Sequence, residues 1–297
     1  MKEKLVLFML ALFVGMLQVD AQKALVIIAH GAPGKQWNEP VLNLENDVRS
    51  LLKEKGIGDF NYVRVALMEF SEPTVASVIK DCESRGIRQI YVVPLFIAPS
   101  SHSEQDVPNI LGLKYNSSTI GALKEEKTSI VHTSIQMTEG PTLSYGDVIK
   151  DIIADRVKAM SKRGKGETFV LIAHGDPDYL PMWNDLLEQT GNVVAARIGV
   201  KFSGYTYVGM GQHFYHDFLP LAKKVSKIAK RVVVQGIYLS NGLNGMTTFS
   251  LKDATQKKYA REFPKNVTFL YSDKGLLPDN RITEWIVDRA SEWINSK

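Results

Sequence analysis

Ala24-Leu25-Val26-Ile27-Ile28-Ala29-His30-Gly31-Ala32-Pro33 is an apolar run that stops abruptly at a histidine, a glycine and a proline. Phe169-Val170-Leu171-Ile172-Ala173-His174-Gly175-Asp176-Pro177 repeats it. Each copy then reaches a Trp-Asn pair, Trp37-Asn38 and Trp183-Asn184. A lone Ala-His-Gly carries little information, whereas the same apolar run, turn and Trp-Asn in both parts of the chain imply an internal duplication. Short continuous apolar runs bounded by turn residues read as strands buried on both faces, the pattern of a parallel sheet.

Working outward, strand and helix signals alternate. Val41, Leu44, Val48, Leu51 and Leu52 recur at helical spacing until Gly56. A strand follows at Tyr62 to Met68. Pro73 fits the first turn of a helix that carries Val75, Val78, Ile79 and Cys82 on one face and closes at Gly86. Ile90 to Ile97 reads as a third strand leading into a polar loop, Ser129 to Ile135 as a fourth, and Tyr145 to Lys162 as a helix before the linker Arg163 to Gly166. The second part repeats this order, with strands near Phe169 to Ala173, Tyr205 to Met210, Val232 to Leu239 and Val267 to Tyr271, and a last helix with Ile282, Trp285, Ile286 and Trp293. The expected fold is α/β, two similar doubly wound parallel-sheet domains. Residues 22–140 form the first, 141–166 a connecting helix and linker, and 167–297 the second.

The chain has 297 residues, 44% hydrophobic and 23% charged, with a formal charge of +4. That balance excludes disordered or fibrous classes and is too mild for a dedicated nucleic-acid binder, while it suits an anionic small-molecule ligand. Cys82 is the single cysteine, so no disulfide framework exists. Lys2 and Lys4, the apolar stretch Leu5 to Leu17 and the short residues Val19-Asp20-Ala21 read as a cleaved secretory signal over residues 1–21. The expected mature protein is exported to the periplasm without a membrane anchor.

Ligands of doubly wound sheets bind beyond the carboxyl ends of the strands. His30 ends the first strand, Glu69 and Glu72 follow the second, and His102 lies beyond the third. Two imidazoles and a carboxylate on one rim suit a divalent transition metal such as Co²⁺, Ni²⁺, Fe²⁺ or Zn²⁺. Glu69 is the expected carboxylate, with Glu72 an alternative.

These residues resemble a family. Strand-Ala-His-Gly, the segment Glu69-Phe70-Ser71-Glu72-Pro73, and Val93-Pro94-Leu95-Phe96-Ile97 leading to Ser101-His102-Ser103-Glu104-Gln105-Asp106-Val107-Pro108 are similar to the CbiX and CbiK group of class II tetrapyrrole chelatases. The resemblance is strong over residues 24 to 113 and mainly architectural thereafter. It implies a bilobal fold with a cleft in which a tetrapyrrole, typically sirohydrochlorin, receives Co²⁺ without ATP. By position, it implies His30 and His102 as holders of the incoming metal and Glu69 as ligand or proton acceptor. A free-base macrocycle loses two pyrrole protons as metal enters, so the chemistry needs a releasable grip beside a base, which neutral imidazole and a carboxylate supply.

The second half keeps His174, but Met210-Gly211-Gln212-His213 stands where the first half has Met68-Glu69, and Leu239 to Gly245 holds no histidine. His174 then reads as a cleft-lining residue or relic. His213 and His216, neighbours near a helix start, are candidates for an axial contact to the macrocycle, and Trp37 for stacking on it. His132 reads as structural within a strand. No dinucleotide or phosphate-loop glycine pattern is complete, so no nucleotide cofactor is expected, and no Gly-x-Ser-x-Gly elbow is present. Two functions fit: a metal chelatase, supported by Glu69 beside two histidines, and a non-catalytic periplasmic haem, tetrapyrrole or metal-binding protein, supported by the signal segment and the divergent second half. Either monomer or homo-oligomer is compatible with both.

Overall fold

The computed structural model describes residues 22–296, so the targeting segment read at residues 1–21 lies outside the described residues. The first sheet has the order β2-β1-β3-β4, with β1 Lys23–Ala29, β2 Phe60–Leu67, β3 Gln89–Pro94 and β4 Gln136–Glu139. The second has the order β6-β5-β7-β8, with β5 Glu167–Ala173, β6 Lys201–Tyr207, β7 Arg231–Ile237 and β8 Thr268–Tyr271. All six strand pairings are parallel. Identical strand order in two four-stranded α/β sheets is the architecture expected from the duplicated run. In each, the order reverses between the first and third strands of the half, which makes the gap between their carboxyl ends the topological switch point where such folds take ligands.

The helices are α1 Lys35–Glu54, α2 Val75–Ser84, α3 Val107–Ile110, α4 Ser117–Glu125, α5 Val148–Met160, α6 Leu180–Ile198, α7 Phe214–Val225, α8 Leu243–Ser250, α9 Ala254–Arg261 and α10 Asn280–Asn295. They cover both faces of each sheet, which is why β1 is fully buried from Ala24 to Ala29. Its alternate residues serve two cores. Ala24, Val26 and Ile28 pack toward α2 with Val75, Val78, Ile79 and Cys82, whereas Leu25, Ile27 and Ala29 face a central core with Val41, Leu44, Val48 and Leu52 of α1. Phe169, Leu171 and Ala173 of β5 enter that same central core from the other half. The two sheets therefore share one apolar interior.

Helix exchange completes the joint. The connecting helix α5 packs on α6 and β7 of the second half, while the last helix α10 packs on α1 and β3 of the first. Trp293 stacks on Phe60 and Tyr91 of the first sheet, with ring centroids 6.0 and 5.3 Å away, and Lys55 Nζ bonds Asp288 at 2.9 Å.

Four local expectations are corrected. Ser129 to Ile135 is not a strand: Val131 and Ile135 are buried against the α2 side of the sheet without joining the ladder, and pairing with β3 begins only at Gln136. His132 consequently sits exposed in a loop rather than inside a strand. Pro73 precedes α2 instead of opening it; Thr74 caps the helix by accepting from the Ser77 N–H, and the Pro73 carbonyl accepts from Leu67 N at 2.8 Å. The segment after β3 is also less of a loop than its polarity suggests, since His102–Asp106 forms a wide helical turn that runs directly into α3.

Candidate metal centre

The β1–β2 ladder continues beyond the strands themselves. Met68 N donates to Ala29 O at 2.9 Å and Glu69 N to His30 O at 3.0 Å, so His30 and Glu69 are held side by side by backbone. Gly31, at φ +95°, turns the chain immediately after His30, and the Glu69 carbonyl occupies the space a Cβ at Gly31 would fill. On the other side of β1, Leu95 N donates to Ile28 O at 2.7 Å and anchors the segment that carries His102. Between Ser100 and Ser103 the backbone and side chains bond reciprocally, Ser100 N to Ser103 Oγ at 2.9 Å and Ser103 N to Ser100 Oγ at 3.3 Å. This closes the turn from which His102 projects.

The result brings His30, Glu69 and His102 together, one ligand atom from each lying within 4.8 Å of the others. The two imidazole centroids are 4.7 Å apart and nearly perpendicular, and His30 Nε2 is 3.9 Å from Glu69 Oε1. Ring tautomers follow from the partners. His30 Nδ1 lies 2.7 Å from the Gly31 carbonyl, which can only accept, so Nδ1 carries a proton and, in the neutral ring, the lone pair is on Nε2. His102 Nδ1 donates to Asp106 Oδ2 at 2.7 Å, again freeing Nε2. A carboxylate behind a ligand imidazole fixes its orientation and raises its basicity. Burial pulls the His102 pKa down, but the Asp106 bond and charge, with the charges of Glu69 and Asp176, outweigh it and leave His102 above the usual imidazole value.

Glu72 goes elsewhere. Its Oε2 accepts from Ser77 Oγ at 2.7 Å and Thr74 N at 2.8 Å, which hold its carboxyl below the usual range at the start of α2.

Side chains of His30 and His102 remain 36% and 39% exposed, against 15% for Glu69, so the group is open rather than sealed. It opens on a cleft of about 560 Å³ between the two halves, lined by His30, Trp37, Phe70, Phe96, His102, His174, Asp176, Trp183 and Tyr238 among others. Aromatic rings collar the imidazoles: Phe96 stacks on His102 at 6.2 Å, and Phe70 and Trp37 stand 6.2 and 6.5 Å from His30. His174 reaches the same cleft from the second half with its Nδ1 bonded to the Gly175 carbonyl at 2.6 Å, a copy of the His30 arrangement, though among the described residues it belongs to no three-ligand group.

His213 and His216 are not brought to this cleft. Gly209 and Gly211, both at positive φ, turn the chain at the end of β6, so that Gln212 lines the cavity while His213 faces Gln256. His216 bonds Asp217 at 2.8 Å and packs edge-on against Tyr259. Asp106 is the functional neighbour that reading residues 101–108 as a loop overlooks; its signal is the i,i+4 spacing to His102, visible once the segment is taken as helical.

Two imidazoles and a carboxylate at the mouth of an apolar cleft, open rather than closed over, are a donor set compatible with a metal chelatase. Comparison with known proteins agrees. The family model CbiX matches residues 24–160. A sirohydrochlorin cobaltochelatase of Methanococcus maripaludis is 31% identical over 150 residues, covering 46% of this chain and 99% of that protein. One from Methanocaldococcus jannaschii is 37% identical over 91 residues, covering 31% of this chain and 59% of that protein. SirB from Bacillus subtilis, solved with Fe³⁺, shares the fold at a TM-score of 0.62 and 14% identity, over 91% of this chain and 95% of that one. The CbiX described as the terminal enzyme of siroheme biosynthesis in denitrifying bacteria does so at 0.52 and 12% identity, over 91% and 98%. The chain belongs to the CbiX family.

Proposed function

We propose that this protein inserts a divalent metal, Co²⁺ as first candidate, into a tetrapyrrole such as sirohydrochlorin without ATP, with His30 and His102 holding the metal and Glu69 as ligand or proton acceptor. The observation that carries the reading is the convergence of these three ligand groups within 4.8 Å at the edge of the inter-half cleft. Metal arrives as substrate on two Nε2 lone pairs, a grip weak enough to pass it on. The macrocycle enters between the aromatic walls, where Trp37, Phe70 and Phe96 face its π-surface. As metal moves into the ring, two pyrrole protons leave. Glu69, beside His30, and the imidazoles vacated by the metal are the groups placed to accept them. Nothing in a His₂-carboxylate set prefers Co²⁺ over Ni²⁺, Cu²⁺ or Zn²⁺, so selectivity rests on geometry and supply. The basic and apolar character of residues 2–17 supports a proposal of export to the periplasm, with a scavenged tetrapyrrole as the substrate to test there.

The purified protein, incubated anaerobically with sirohydrochlorin and Co²⁺, is expected to show catalytic metal insertion by absorbance, lost in His30→Ala and His102→Ala. A bound tetrapyrrole spectrum with no turnover would overturn the catalytic reading and leave a carrier of haem or a related macrocycle.

A further inference from the structure

Gly31-Ala32-Pro33 and Gly175-Asp176-Pro177 occupy equivalent turns of the two halves, yet they are wired differently. In the first half the turn closes on itself: Asn38 accepts from Ala32 N at 2.9 Å, donates to Ala32 O at 2.8 Å and reaches Ser71 Oγ at 3.2 Å. In the second half Asn184 is taken by the Tyr207 hydroxyl at 2.8 Å, and Asp176 reaches out of its own half. Its Oδ2 accepts from Ser101 N at 2.8 Å, the residue directly before His102, while Oδ1 accepts from Asp178 N at 3.0 Å. Trp183, the partner of Trp37 in the repeat and 4% exposed, donates from Nε1 to the Pro99 carbonyl at 3.1 Å. Two bonds from the second half thus grasp residues 99–101.

We propose that Asp176 and Trp183 are positioning residues for the metal centre, through which the second half sets the His102 imidazole against His30 and Glu69. The proposal rests on the assignment of His30, Glu69 and His102 to the metal. The reciprocal Ser100–Ser103 bonds and Glu104 N to Ser100 O at 2.8 Å make residues 99–104 a closed turn, so a displacement at Ser101 is passed to His102 rather than absorbed. A ligand on a turn built of its own half alone would have no reference to the opposite wall of the cleft. The two bonds supply one, and they explain why the half without a complete ligand set keeps its strand-end turn in the cleft.

The test is equilibrium Co²⁺ binding to the purified protein without tetrapyrrole, followed by its ligand-field spectrum, beside thermal melting and steady-state insertion. Asp176→Ala and Trp183→Phe are each expected to weaken Co²⁺ binding about tenfold, the usual scale for a group that orients a metal ligand, and to alter the ligand-field bands while KM for sirohydrochlorin stays within about twofold. Asp176→Asn, which keeps an acceptor for the Ser101 N–H, is expected to recover most of the affinity. Unchanged Co²⁺ affinity with a lowered melting temperature would overturn the proposal in favour of a structural tie, and raised KM with unchanged Co²⁺ affinity in favour of direct contact with the macrocycle. His30→Ala separates the two levels: if it leaves Co²⁺ binding intact, the assignment of the metal centre itself fails.

Discussion

Gly31→Ala tests whether backbone packing sets the metal centre. A methyl at this position meets the Glu69 carbonyl oxygen at 2.3 Å, some 0.7 Å inside the 3.0 Å that real Cβ contacts keep. The carbonyl cannot drift away freely, because it accepts from Ser71 N at 2.8 Å and the Glu69 N–H is bonded to His30 O. The left-handed conformation at φ +95° adds about 1–2 kcal/mol for a residue with a Cβ, and the overpacking about 1–3 kcal/mol. The sum is about 2–5 kcal/mol, or a melting temperature lower by roughly 5–15 °C for a chain of this size. Displacing Glu69 by even half an ångström exceeds the tolerance of a preorganised site, so Co²⁺ affinity is expected to fall tenfold or more. Gly211→Ala is the matched control. It too sits at positive φ, and its added methyl would meet the Met246 Cβ at 2.8 Å, so it destabilises comparably, but in the half without the ligand group and outside the Gly175-Asp176-Pro177 turn that holds Ser101. Calorimetry and Co²⁺ titration of both variants decide the matter: equal loss of metal binding in both, or retention in Gly31→Ala, would refute the reasoning.

Two further perturbations bear on charge. Asp106→Asn lets an amide N–H donate to His102 Nδ1, moving the ring proton to Nε2 and blocking the lone pair; Co²⁺ affinity at pH 8 is expected to fall tenfold or more. The same change removes the main influence that raises His102, so the acid limb of Co²⁺ binding, where imidazole protonation competes with metal, is expected to move to lower pH in a titration of affinity against pH. Glu139, at the end of β4, has its carboxyl pushed up to about 7 by burial first and then by the charge of Glu104. A folded-state pKa above the unfolded one means that the folded chain holds the extra proton between about 4.5 and 7, so stability falls as pH rises through that window. Glu139→Gln is expected to add about 1–3 kcal/mol at pH 8 and almost nothing at pH 4, measured by urea unfolding at both.

The duplication, the parallel sheets and the meeting of His30, Glu69 and His102 were legible because each follows from local signals. Apolar runs of strand length stop at a turn, and the switch point of the sheet does the rest. Other features depend on partners that local pattern does not name. Ser129 to Ile135 carries apolar residues suited to a strand, yet only Gln136–Glu139 finds a free edge of β3. Asp106 was hidden by the polarity of its surroundings, which suggest a loop where a helical turn forms. His213 and His216 share a helix start, but the two glycines before them decide which way they face. The bond from Asp176 to Ser101 spans two halves, and no spacing in the chain marks it.

The exchanged helices have a consequence for the molecule as a product of duplication. Severing the chain in the linker after α5 would not return two smaller copies. The leading fragment would carry the bare apolar face of α5, whose seat is on α6 and β7, and would lose α10 from over Phe60 and Tyr91. Each part completes the hydrophobic layer of the other, so the two halves are expected to unfold together rather than as separate modules, and a cut chain to leave two incomplete cores.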